Sequence, residues 1–254
     1  MSEIGPKKIS FPMFLLKILA GCSGGVVGTL ILLVIYILAA SFIPSVESIG
    51  SGESVSPIFV FILMMMIFLA STTGNILSTY LLALTEGERY KRKASAIYQV
   101  FIASVIIFLL MVPVYFISAS IDLGVTGYAV ALHIILTAQI SALILEIVSN
   151  YKYSLVGLYG VTFSIVISAA VLFLLAGVLQ NAAILLFVAL PIVWGSIAFT
   201  QSITTMIYGW IASVYDKDFL CTQTIYGDDY GKEVTEEEEP KADDEEGADF
   251  LRHN

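Results

Sequence analysis

Charge is scarce in this chain. Asp, Glu, Lys and Arg make up only 13% of its 254 residues, against 58% hydrophobic, and a soluble domain carries roughly twice that charged share. The shortage excludes a water-soluble domain of ordinary composition. Histidine is rarer still, at two residues, His133 and His253. No aspartate pair, and no histidine beside an acid, lies within the apolar runs. That removes the groups a membrane protease, a hydrolytic triad or a metal centre would need. The chain therefore reads as non-enzymatic, with no cofactor and no metal. The two cysteines, Cys22 and Cys221, stand in an apolar run and a polar tail, a spacing that makes neither a disulfide framework nor a thiolate metal site. Nucleic acid is excluded as a partner because no broad basic face exists to meet it.

What the chain has is long apolar runs. Six stand out, at about 14–43, 57–84, 94–119, 125–148, 155–179 and 182–214, each past the roughly 18 to 20 residues that cross a bilayer as a helix. The expected fold is all-α: a polytopic integral membrane protein with six transmembrane helices, which can also be read as three helical hairpins over 14–84, 94–149 and 154–214. A lead of residues 1–13 precedes the membrane domain, 14–215, and an acidic tail, 216–254, follows it. The first run has a basic prelude, Lys7 and Lys8. Its apolar stretch is about twice a signal-peptide core, so it reads as an uncleaved span. Ser56-Pro57 is a helix start, with serine capping and proline at the first helical position. Pro113, inside the third run, removes a backbone donor and should bend that helix.

The scarce charge is unevenly placed. From Asp216 onward there are 14 acids and 4 bases, and before it 7 acids and 8 bases. A near-neutral body thus carries a strongly acidic tail, which self-repels and should stay disordered. The island Thr85 to Lys93 (T-E-G-E-R-Y-K-R-K) holds Arg89, Lys91, Arg92 and Lys93. With six alternating spans, all 12 Lys and Arg fall on one side of the membrane. The positive-inside rule then puts both termini in the cytoplasm. A prokaryotic cytoplasmic membrane is the expected location. The island should meet anionic lipid headgroups, at about 1 kcal/mol per basic residue, or the acidic tail folded back on it.

Three features inside the spans are candidate sites. The even-numbered helices each carry one carboxamide beside hydroxyls: Asn75 after Thr73, Gln139 before Ser141, and Gln201 between Thr200 and Ser202. Together with His133, these residues would line an intramembrane polar path; the bland alternative is hydrogen bonding between helices, at about 1 kcal/mol or less each. The first helix carries Gly21, Gly24, Gly25 and Gly28, a groove of small residues four apart that lets another helix approach closely. Lys17 and Glu146 lie near helix ends and are expected to snorkel to the surface.

Two functions follow as expectations. The first is a non-enzymatic multi-pass component acting through partners, an assembly, anchoring or scaffold subunit with a protein partner or self-association in the membrane. The alternative is a small transporter or channel subunit for a neutral or weakly polar solute, lined by the intramembrane amides and hydroxyls.

Overall fold

The computed structural model describes residues 11–39, 56–85, 90, 92–121, 123–149, 154–179 and 182–214. Six long helices account for nearly all of them: α1 (Phe11–Ala39), α2 (Pro57–Thr85), α3 (Lys93–Ile121), α4 (Leu123–Ile144), α5 (Ser154–Leu179) and α6 (Ala182–Val214). A π-helical turn, Leu145–Ser149, prolongs α4. All six spans are long and apolar enough to cross a membrane, so this is an all-helical, multi-pass membrane protein. Such a chain has to be helical there, because the hydrocarbon offers no partner to an exposed peptide group.

Helix boundaries follow local chemistry. The Val60 amide donates to the Ser56 carbonyl at 3.1 Å, so Ser56 caps α2 and Pro57 takes the position where its missing N–H costs nothing. At α3 the Ala96 amide donates to the Arg92 carbonyl at 3.2 Å. Arg92 has φ 34°, in the left-handed region that a side chain adopts at a cost. The chain thus turns sharply into α3 out of the basic island. Pro113 and Pro191 lie inside α3 and α6, both of which continue past them.

Helices adjacent in sequence pack as pairs, α1 with α2, α3 with α4 and α5 with α6, and α1 also packs along α6. Helix α1 is therefore wedged between α2 and α6. Helix α4 touches α2, α3, α5 and α6 and is the most buried span. The outer helices α3 and α5 turn most of their surface outward; Leu109, Leu110, Phe163 and Phe173 are exposed there, as a lipid-facing surface requires.

The glycines of α1 explain the wedge. A Cβ on Gly24 would collide with the Ser78 backbone nitrogen, and one on Gly28 would lie 2.7 Å from the Ala70 carbonyl. Both point at α2. On the other side, a Cβ on Gly25 would lie 2.6 Å from Pro191 Cα, and one on Gly21 would lie 2.9 Å from the Trp194 carbonyl. The four candidate groove residues thus serve two interfaces, and both are filled from within the chain. Ser78 Oγ donates to the Gly21 carbonyl (2.9 Å) and Thr29 Oγ1 to the Phe187 carbonyl (2.6 Å), which locks α1 to both neighbours. Cys22 is a free thiol at the α1/α6 contact, 3.6 Å from the Pro191 carbonyl.

Candidate functional site: the polar interior

Glu146 gathers the largest number of elements around one polar side chain in the described interior. It sits in the π-helical turn after α4 and is fully buried. Its Oε1 accepts a hydrogen bond from the Tyr90 hydroxyl (2.6 Å) and one from Gln201 Nε2 (2.9 Å). Gln201 thus turns its amide nitrogen, not its oxygen, toward Glu146. Opposite, Gly157 of α5 leaves room for the carboxyl group: a Cβ there would collide with Oε2. Gly160, one turn further, lets Gln201 approach in the same way, with its Cα 2.7 Å from the glycine's Cβ position. Four elements therefore meet at this carboxylate: the island through Tyr90, then α4, α5 and α6. Single π-helical turns occur frequently at functional sites.

This overturns the expectation that Glu146 and Lys17 reach the surface. Both are buried, Lys17 at 4% exposure and Glu146 at 0%. Lys17 belongs to the face of α1 that carries Gly21, Gly24 and Gly28, so it points between α2 and α6. Glu146 lies seven residues after Gln139, two full turns, so both share the α4 face that packs on α5. That interval is readable in the chain and is the one signal that could have found Glu146.

The three amides are held by three different partners. Asn75 Oδ1 accepts from Trp194 Nε1 at 2.8 Å, Gln139 Oε1 from Ser164 Oγ at 2.7 Å, and Gln201 serves Glu146. They join α2 to α6, α4 to α5 and α6 to α4, respectively. His133 Nδ1 pairs with the Tyr115 hydroxyl of α3 at 3.1 Å. Ser141 Oγ donates to the Thr137 carbonyl of its own helix. Thr73 is exposed on the outer face and donates to the Leu69 carbonyl; its neighbour Thr72 is the buried one. Tyr90, Tyr115, Ser164 and Trp194 complete these pairs, and no sequence spacing points to them.

Among the described residues, six buried side-chain atoms have no protein partner: Ser71 Oγ, Thr72 Oγ1, Asn75 Nδ2, Thr79 Oγ1, His133 Nε2 and Gln139 Nε2. Gln139 resolves itself. Ser164 Oγ also lies 2.6 Å from the Val161 carbonyl, so a flipped Gln139 amide would donate to Ser164 while Ser164 donates to Val161. Four of the remaining five lie on α2. The hydroxyls of α6 behave differently. Thr200, Ser202, Thr204 and Thr205 each turn back on a carbonyl of their own helix.

No protein-family model, curated protein or solved structure matches this chain. The interior itself is thus the guide to function.

Arg92 and Lys93 open α3 beside Tyr90. Arg89 and Lys91, the lead before Phe11 and the acidic tail lie outside the described residues.

Proposed function

We propose that the protein passes a small, neutral, polar solute across the membrane, as a transporter or channel subunit. The observation that carries this reading is Glu146. An ionisable side chain inside a membrane bundle is costly to keep, and such residues mark solute and ion pathways by default. Here it is fully buried and held by directed hydrogen bonds from Tyr90 and Gln201. The chain also keeps two glycines of α5 against this pair of side chains, where a larger residue would push them out.

The orientation proposed from the charge partition is both termini cytoplasmic, and the membrane proposed, from the compactness of the chain, is a prokaryotic cytoplasmic one. Tyr90 and Glu146 then close the cytoplasmic end of the bundle. The test is reconstitution into liposomes, with solute entry read as osmotic swelling by light scattering. Wild-type vesicles should swell faster than protein-free lipid in at least one small polyol or amide, and Glu146→Gln should slow them. Equal swelling with and without protein for every solute would end the reading.

A role as an assembly or anchoring subunit is the second reading. It rests on the tail, with its 14 acids and 4 bases, which would offer a partner a concentrated charge on the same side as the basic island. The α1 glycines lend it nothing, since α2 and α6 occupy them. Co-purification in mild detergent checks it: a stoichiometric partner lost on removing residues 216–254 supports it, and an unaccompanied protein counts against it.

A further inference from the structure

We infer that the α2 face carrying Ser71, Thr72, Asn75 and Thr79 is a binding site for a small neutral polyol. This deepens, and rests on, the proposed passage of a polar solute, and it places the solute's resting point some distance from Glu146. All four residues are more than nine-tenths buried, and each has a polar side-chain atom without a protein partner. At 100° per residue their spacing keeps them within an arc of about 100°, and from Ser71 to Thr79 the row rises about 12 Å. They form one stripe, not a scatter around the helix.

The stripe is bounded. Phe68 continues it at one end and packs on Phe108 of α3, with ring centroids 4.6 Å apart. Leu82 and Ala83, both buried, close the other end. A polar patch between apolar limits is a place to rest, where a continuous file of polar groups would be a channel lining. The stripe lies on a helix that packs against α1, α3, α4 and α6, so it is an inner surface of the bundle.

Asn75 fixes the chemistry. Trp194 Nε1 is a donor only, so the Asn75 atom facing it at 2.8 Å must be the carbonyl oxygen. The amide orientation, ordinarily ambiguous, is thereby settled, and Nδ2 is turned away from Trp194 with two protons to give. Beside it are three hydroxyls, each able to give one proton and accept others. An unpaired buried polar group costs on the order of 1–3 kcal/mol, and α2 keeps four of them where Thr73, on the same helix, turns back on its own backbone. Helix α2 itself holds no charged residue, and the four groups of the stripe are all neutral donors and acceptors. A neutral molecule whose hydroxyls both give and accept matches this set.

The test uses the full-length protein in detergent with Trp210→Phe, which leaves Trp194, bonded to Asn75, as the sole tryptophan reporter. Glycerol, erythritol and xylitol are titrated, with urea and sodium chloride as the carbonyl and anion arms. The expected result is a saturable change in Trp194 emission for at least one polyol. Asn75→Leu should weaken it by about tenfold, the worth of roughly 1.4 kcal/mol, and Thr72→Val with Thr79→Val should do the same. That near-isosteric double variant keeps the test decisive if Asn75→Leu does not fold. Thr73→Val, on the outer face, should leave the response unchanged. No saturable response to any polyol overturns the site, as does an equal response in the folded double variant. A response to urea or chloride alone overturns the ligand class. Solute flux without a binding response removes this site and leaves the proposed function standing; binding without flux does the reverse.

Discussion

Replacing Gly24 with alanine adds one methyl group at the closest approach of a glycine to another helix's backbone among the described residues. The new Cβ would collide with the Ser78 nitrogen and lie 2.6 Å from its Cα, backbone atoms that cannot rotate away. Ordinary contact begins near 3.4 Å, so α1 and α2 must separate by about 1 Å, or the packing must strain. Overpacking of this kind costs about 1–3 kcal/mol. The same displacement stretches the Ser78 Oγ to Gly21 carbonyl bond, now 2.9 Å, and an interhelical hydrogen bond in a membrane is worth about 0.6 kcal/mol on average. The expected loss is therefore about 2–3 kcal/mol. It is set against a gain of up to about 1 kcal/mol from replacing a helical glycine with alanine, leaving a net loss of about 1–2 kcal/mol. Gly127 and Gly177 are internal controls: both are helical, and a Cβ on either meets nothing within 4 Å, so alanine there should be neutral or slightly stabilising. The assay is unfolding by a denaturing detergent titrated against a mild one, followed by tryptophan emission. Gly24→Ala should unfold earlier than wild type, and Gly127→Ala and Gly177→Ala should not. Indistinguishable curves for Gly24→Ala and Gly177→Ala would refute the wedge of α1 between its neighbours.

Other consequences can be checked without knowing the solute. Tyr90→Phe removes the hydroxyl that bonds Glu146 and should speed trypsin cleavage at Arg92 and Lys93 in detergent; an unchanged rate would argue against the Tyr90–Glu146 bond as an anchor for the start of α3. Gly157→Val drives a side chain into the space Glu146 occupies and should destabilise the fold by more than about 1–3 kcal/mol, the typical overpacking range, while the same change at Gly177 should be tolerated. Trp194 is fully buried and Trp210 is 70% exposed. Lipids brominated on their acyl chains should therefore quench emission from the Trp194→Phe variant, which retains Trp210, far more than from Trp210→Phe. Thr29→Val should cost about 0.6 kcal/mol by deleting its bond to Phe187, and Thr73→Val nothing measurable.

The helices are legible in the chain itself, and the reason is the solvent. A bilayer demands runs of some 20 apolar residues and forbids unpaired backbone, so run length and composition alone specify six helices. Their ends, at Ser56-Pro57 and at the short polar turns, can be read to within a few residues for the same reason. Helices of this kind are apolar on every side. No amphipathic stripe tells the inner face from the lipid face, so the faces are hard to assign. Thr73 and Thr72 differ by one position and by about 100° of rotation, and only the packed bundle shows that Thr72 is the inward one.

Pairing is illegible for a related reason. The amides of α2, α4 and α6 look alike along the chain, yet each finds a partner of a different kind: an indole, a hydroxyl and a carboxylate. Those partners lie 119, 25 and 55 residues away, and no periodicity spans such intervals. Composition and run length alone determined that this chain lives in a membrane as helices. Tertiary packing alone decided that the α1 glycines face inward on two sides, that Glu146 is a core residue, and that α2 carries polar groups with no protein partner. Span length answers to the thickness of the bilayer, a property of the solvent. Burial of a given side chain answers to which helix stands opposite it, a property of the whole bundle.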